Sequence, residues 1–278
     1  MVAGCGQTPG QAVDDAGPRL VVLSPALAVI LRDVGAESLM VGRHDFDQVF
    51  TDLPACGHQG GIDYERLLTL GPTHILIEWG DRSLPPRLVS LAKANGWVIE
   101  RYEIRTLDDI LTAADALEAE FGPEDITEPI SVSLEKAWAR SEVPLGGVGR
   151  VLLLAATGPP GALGPGSFHY EILERLGATP AMTKGGPWVE LDSEDIIALS
   201  PDAIVLVVPR PDGRGVWAVG ADAVAKLGGI GSLDIPAVGR GRVAVLDGVS
   251  YLTPSTAMGD FARDLREVLE GWAGEDGP

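Results

Sequence analysis

Two tryptophans, two glutamates and three histidines are the side chains of this 278-residue chain best suited to hold or present something. Trp79 and Trp188 each lie at the loop end of an expected element, beside glycine, as Trp79-Gly80 and Gly186-Pro187-Trp188. Glu65 and Glu194 each fall in the first turn of an expected helix, where the helix dipole favours a carboxylate by about 0.3–1 kcal/mol. His44, His58 and His169 could ligate a metal centre, His58 as an axial ligand. They lack the i, i+4 or Cys-x-x-Cys spacing of a preformed zinc site, so no resident metal is expected. Catalytic constellations are missing. Ser24 precedes a proline, and no Gly-x-Ser-x-Gly elbow occurs. Gly164-Pro165-Gly166-Ser167 lacks the Gly-Lys-Ser/Thr ending of a phosphate loop, and no Gly-x-Gly-x-x-Gly follows a strand. The chemistry on offer is binding, so neither an enzyme nor a cofactor is expected.

The elements that must carry these residues come in two copies. Glu65-Arg66-Leu67-Leu68-Thr69-Leu70-Gly71-Pro72 and the apolar run after it recur as Glu194-Asp195-Ile196-Ile197-Ala198-Leu199-Ser200-Pro201 and its own run. A weaker echo lies upstream of each, where Ile30-Leu31-Arg32-Asp33-Val34-Gly35-Ala36 matches Ile172-Leu173-Glu174-Arg175-Leu176-Gly177-Ala178. Duplicated strand–helix units imply an α/β fold of two similar lobes with mainly parallel sheets and a ligand cleft between them.

The expected organisation is a flexible tether at 1–17, an N-terminal lobe at 18–105, a long helical connector at 106–147 and a C-terminal lobe at 148–278. Strands are expected at 19–23, 39–42, 74–79 and 97–101, with helices at 26–34, 64–70 and 86–95. Residues 43–61 read as one long loop. In the connector, a helix from Thr106 breaks at Gly122-Pro123, and a second long helix runs from about 124 to 140 with Pro129 in its first turns. The second lobe has strands at 150–156, 203–208 and 242–247. Its helices fall at 168–176, 193–199, about 221–227 and 258–272, and 157–167 forms a Gly/Pro-rich loop.

Composition narrows the partners. Hydrophobic residues make up 45% of the chain, and no run reaches the roughly 20 apolar residues of a membrane span. A net charge of −19 argues against nucleic acid or an anionic lipid surface as a direct partner. The two cysteines do not make a disulfide framework, and Cys56 reads as an inert buried thiol. Val2-Ala3-Gly4-Cys5-Gly6, followed by a polar stretch rich in Gly and Pro, resembles the end of a bacterial lipoprotein signal. There the thiol takes a diacylglycerol, so a lipid on Cys5 is expected.

From about Pro18 onward the chain resembles the periplasmic substrate-binding proteins of ABC importers for vitamin B12, siderophores and haem. The likeness rests on residues 19–25, the 65–77 segment, Gly164-Pro165-Gly166-Ser167-Phe168 ahead of a helix, and Val243-Ala244-Val245-Leu246-Asp247-Gly248. It is greatest to the vitamin B12-binding branch, through Gln59-Gly60-Gly61-Ile62-Asp63-Tyr64-Glu65-Arg66, Glu78-Trp79-Gly80 and Gly186-Pro187-Trp188. The resemblance implies an extracytoplasmic monomer that captures a corrinoid, or alternatively a ferric siderophore or haem, between stiffly joined lobes. It places Phe46, Trp79, Trp188 and Tyr251 around the ligand, with Asp247 near them and the backbone of Gly158 to Gly161 close by. Glu65 and Glu194 would dock into arginine pockets of the two permease subunits. Three positions depart from the branch: His58 stands for an aromatic residue, Gly161 for a phenylalanine and Tyr251 for an arginine. A stand-alone sensor or scavenger, which needs no docking glutamates, is the further alternative.

Overall fold

The computed structural model describes residues 17–58 and 61–275. Cys5, Gln59, Gly60 and the expected tether up to residue 16 lie outside them. The N-terminal lobe contains β1 (Leu20–Val22), α1 (Pro25–Asp33), β2 (Met40–His44), β3 (Ala55–His58) and β4 (Gly61–Ile62). It continues with α2 (Tyr64–Leu70), β5 (His74–Glu78), α3 (Pro86–Asn95) and β6 (Val98–Tyr102). The strand order is β4-β3-β2-β1-β5-β6, and only the β3–β4 pair is antiparallel. A strand pair therefore occupies part of the stretch read as one loop. Ala55-Cys56-Gly57-His58 lacks the apolar alternation that signals a strand, and pairing with β2 supplies the order instead.

Two helices join the lobes, α4 (Leu107–Phe121) and α5 (Ile130–Trp138). Helix α4 opens with a reciprocal capping box between Thr106 and Asp109. The second helix is shorter than the 124–140 segment expected. It begins after Pro129, because proline donates no N–H and disfavours helical dihedrals in the residue before it. The Glu118 carboxylate accepts the Ile130 N–H at 3.2 Å, which closes the corner between the two helices.

The C-terminal lobe runs β7 (Arg150–Thr157), β8 (Pro160–Leu163), α6 (Phe168–Leu176), β9 (Thr179–Pro180), β10 (Trp188–Glu190), α7 (Ser193–Leu199) and β11 (Ala203–Val207). It ends with β12 (Val216–Val219), α8 (Ala221–Val224), α9 (Pro236–Gly239), β13 (Val243–Leu246) and α10 (Ala257–Glu275). Its sheet has the order β10-β8-β7-β11-β13-β12, with β9 beside β7. The central strands β7, β11 and β13 are parallel. The Gly/Pro-rich segment expected as loop contains β8, which folds back on β7 as a hairpin.

The repeat persists at the level of dihedral angles. Asp63 caps α2 by accepting the Arg66 N–H at 2.9 Å, and Asp192 caps α7 by accepting the Asp195 N–H at 2.8 Å. Both helices end on a left-handed residue, Gly71 at φ 53° and ψ 60°, Ser200 at φ 43° and ψ 60°. Leu67 and Ile196 are fully buried at the same position of each copy.

One continuous core joins the lobes. It takes Leu20, Val22 and Leu76 from the first sheet and Val151, Leu153, Val205 and Leu246 from the second, with α1, α4, α5, α6 and α10 between them. Each sheet has a separate apolar cluster on its outer face. Trp138 lies in the shared core, and its indole N–H donates to the Met258 carbonyl at 3.1 Å. His169 is also interior. Its ring meets Phe261 edge-on at 4.8 Å, and its Nε2–H donates to the Tyr251 carbonyl at 2.5 Å.

Burial pushes the His169 imidazole down to about 4, with the Tyr251 bond offsetting only part of the effect. The unfolded chain binds this proton near pH 6.5, so the unfolded state gains protons first as the pH falls. Stability is therefore intact above that value and is lost between pH 6.5 and 4, by about 3 kcal/mol at the lower end. Urea unfolding of the wild type and His169→Gln as a function of pH should show a steeper loss in the wild type across this window. Parallel slopes would mean that another group governs acid unfolding.

Candidate functional site

The parallel strands β1, β2, β3 and β5 end at one edge of the N-terminal sheet, and the loops there build a pocket of about 440 Å³. His44, His58, Tyr64, Glu78, Trp79 and Arg82 line it. The pairing of His44 with Gly57 puts His44 and His58 at adjacent strand ends, which their separation in sequence conceals. Gly57 has no room for a side chain, since the His44 ring lies against it. The His44 Nδ1 accepts the Phe46 N–H at 3.1 Å, so a neutral His44 carries its proton on Nε2 and acts as a donor there. Burial, with a smaller contribution from the nearby His58, lowers the His44 pKa and favours this neutral form. The Phe46 ring tilts over His44 at 5.1 Å and is 55% exposed, open for a further contact.

Trp79 is held on two sides. Its indole N–H donates to the Ser83 carbonyl at 3.1 Å, and the Arg82 guanidinium lies 4.4 Å from its ring centre. Glu78, Trp79 and Arg82 also line a neighbouring pocket of about 300 Å³ that includes Glu103 and Arg105. The Ser24 hydroxyl caps α1 and donates to Glu78 at 3.0 Å; burial raises the Glu78 pKa and this bond opposes the shift. The Arg43 guanidinium is engaged by the carbonyls of Leu53, His44 and Asp45. Cys56 is a buried free thiol pushed up to about 11 by burial, so it stays protonated at neutral pH.

In the C-terminal lobe, Gly161 and Trp188 meet across the β8–β10 pair. A side chain at position 161 would occupy the space of the Trp188 ring, and Trp188 as a whole is 53% exposed. The Asp247 carboxylate is buried and accepts the N–H groups of Arg214 at 2.9 Å and Gly215 at 3.1 Å. Its other oxygen lies 3.5 Å from Arg210. Tyr251 is buried against Phe261, and its hydroxyl donates to Asp264. Tyr251 forms part of a pocket of about 300 Å³ that spans the lobes, with Arg32 contributed from α1.

The expected ligand contacts thus fall into three groups. Phe46, His58 and Trp79 gather around the N-terminal pocket, and Gly161 supports Trp188 on the other lobe. Asp247 and Tyr251 are spent on protein partners in this conformation. Glu65 and Glu194 are exposed at the second position of α2 and α7. Sequence reasoning named His44 only as a possible metal ligand and passed over the contributions of Tyr64 and Arg82 to the pocket. The proline-free run Met40–His44 ahead of a charged turn was the available sign that His44 ends a strand.

The contact between positions 161 and 188 has a direct test. Gly161→Ala should displace the Trp188 indole, shifting the tryptophan fluorescence at little cost in stability because the ring can move into solvent. The same substitution in a Trp188→Phe background should leave the spectrum unchanged. A shift that survives there would place the strain elsewhere.

No protein-family model matches the chain, and no curated protein matches it. Solved structures do. The periplasmic heme-binding protein HutB of Vibrio cholerae superposes with a TM-score of 0.67 at 22% identity, over 91% of this chain and 98% of that one. For the periplasmic heme-binding protein RhuT from Roseiflexus sp. RS-1 the values are 0.66 and 20%, over 93% and 100%. For the periplasmic vitamin B12-binding protein BtuF of Vibrio cholerae they are 0.63 and 19%, over 92% and 97%. This chain has the two-lobed α/β fold of those periplasmic binding proteins.

Proposed function

We propose that this chain is an extracytoplasmic substrate-binding protein, not an enzyme, that captures a metal-centred tetrapyrrole and delivers it to an ABC importer. The observation that carries the reading is the convergence of His44, His58 and Trp79 on one pocket at the strand ends of the N-terminal lobe. Two structures of the same fold are named as heme-binding proteins and one as a vitamin B12-binding protein. Of the candidate ligands we favour haem, because two histidines stand side by side in the pocket. His58 would supply an axial nitrogen to iron, and His44 Nε2–H would donate to a carboxylate of the ligand. Trp79, Phe46 and Tyr64 offer aromatic surface to the macrocycle at low entropic cost. A corrinoid is the second reading, favoured by the exposed Trp188 on the opposite lobe, which could cover a second face.

Delivery would use Glu65 and Glu194, which occupy equivalent helix turns on the two lobes and suit bidentate pairing with arginines of a permease dimer. A lipid on Cys5 would tether the protein to the membrane. Among the described residues no helix is long and apolar enough to cross one.

Titration with haem, followed by its Soret band, should saturate at one haem per chain. His58→Ala should remove the imidazole-ligated spectrum and weaken binding about tenfold or more, the scale of 1.4 kcal/mol. Trp79→Ala should weaken binding with the spectrum kept. Saturable cyanocobalamin binding without haem binding would move the assignment to corrinoids. Tight binding of a ferric siderophore alone would keep only the importer reading, and binding of none would sink the proposal.

The docking role is separable. Glu65→Arg with Glu194→Arg should abolish transporter-dependent uptake while ligand affinity stays at the wild-type value. If uptake continues unchanged, the chain acts as a stand-alone sensor or scavenger.

A further inference from the structure

A second constellation lies away from the pocket, where His74 starts β5, Glu100 lies in β6 and Glu120 sits in the last turn of α4. One potential ligand atom from each comes within 4.8 Å of the others. Strand register explains the first two: Leu76 pairs with Glu100 and His74 with Val98, so His74 and Glu100 share a face one step apart. Helix α4 ends over the same face, where Phe121 meets the His74 ring edge-on at 5.5 Å. His74 and Glu78, which lines the ligand pocket, are the two ends of β5, about 13 Å apart at the rise of a strand.

Three features of the group suit a cation. Glu100 Oε2 accepts the Tyr102 hydroxyl at 2.7 Å, but its Oε1 is buried with no hydrogen-bond partner among the described residues. A buried carboxylate oxygen left in that state costs free energy that a cation would recover. Glu120 sets a second carboxylate beside it, so the pair needs either a shared proton or a cation between them. The third feature is the imidazole. Its Nδ1 lies 2.8 Å from Thr73 Oγ1, and that hydroxyl reaches the Arg19 carbonyl at 3.3 Å. When the hydroxyl proton goes to Arg19, Oγ1 accepts from Nδ1–H, and the lone pair of the ring is left on Nε2. Metal-bound histidines are commonly held in this way, with the far nitrogen donating to a second partner.

We propose that His74 Nε2 and one carboxylate oxygen each from Glu100 and Glu120 bind a divalent first-row transition ion of the Zn²⁺ class. Imidazole with carboxylates is a donor set that such ions accept, and the exposed side of Glu120 leaves room for a water in the fourth position. The ion would tie the edge strand β6 to the end of α4. It would brace the N-terminal sheet against the helices that lead to the other lobe.

The test uses the full chain, stripped with a chelator and titrated with ZnCl₂ by calorimetry, with thermal unfolding in parallel. One zinc per chain should bind and raise the midpoint of unfolding. Glu120→Gln removes an exposed ligand without touching the core and should weaken binding at least tenfold; His74→Ala should do the same. His58→Ala should leave the affinity unchanged, which separates this site from the ligand pocket and from the haem reading. Zinc binding that persists unweakened in Glu120→Gln and His74→Ala, or no zinc binding by the wild type, would overturn the proposal.

Discussion

Each lobe depends on an arginine clasp at the start of its first central strand. Arg19 donates its guanidinium to the Leu70 carbonyl at 2.7 Å, and its backbone N–H goes to Thr73 Oγ1 at 2.8 Å. Arg150 repeats the arrangement, with 2.9 Å to the Ser200 carbonyl and 2.9 Å from its N–H to the Asp202 carboxylate. The clasp caps the end of the repeated helix and sets the register of β1 on β5 and of β7 on β11. A left-handed serine is costly, about 1–2 kcal/mol for a residue with a Cβ. At Ser200 the guanidinium bond helps offset that cost. Trp79, at the far end of β5, inherits this register directly; His44 and His58 take it through the pairing of β2 and β3 onto β1, and the Gly161–Trp188 contact through the pairing of β8 and β10 onto β7.

The shared core limits how far the lobes can part. Burying a large apolar side chain contributes about 1.5–3 kcal/mol, and Trp138, Phe261, Leu134 and Leu265 all belong to the cluster that spans both sheets. Exposing even these four would cost roughly 6–12 kcal/mol. Micromolar binding supplies only about 8 kcal/mol. A ligand of ordinary affinity would spend most or all of its binding free energy on parting the lobes, so the proposed capture is better served by surfaces already in place. The seating of Trp79 by Ser83 and Arg82 is what such a mechanism requires.

The duplication made the lobes legible, because apolar spacing, capping aspartates and a proline after the helix are local signals that structure obeys locally. Helices α6 and α7 begin and end at the residues expected from those signals. The legible part stops where pairing decides. Strand β3 carries an unhelpful Ala-Cys-Gly-His composition and is ordered by β2, so the neighbouring histidines looked scattered along the chain. Asp247 and Tyr251 occupy positions that the family likeness assigns to the ligand. Their hydrogen bonds to Arg214, Gly215 and Asp264 are long-range facts that no spacing encodes. The second connector helix was drawn too long because its periodicity continues upstream of Pro129, whereas the backbone chemistry of proline does not.

A net charge of −19 sits awkwardly with an anionic ligand such as haem, and local charge resolves the conflict. At physiological salt the screening length is about 8 Å, so most of the acidic surface is not felt inside a pocket. Two arginines lie beside the pocket's aromatic residues: Arg82 lies over Trp79 at 4.4 Å and lines the pocket, and Arg87 lies 4.5 Å from the ring centre of Tyr64. Arg43 is occupied by three carbonyls and is unsuited to bind a ligand. Under the haem reading, Arg82 and Arg87 would set the field that an entering carboxylate meets, each from an aromatic face that fixes its position. The acidic exterior then has a separate consequence: it discourages nonspecific adsorption to anionic membranes, leaving orientation there to specific contacts such as those proposed for Glu65 and Glu194.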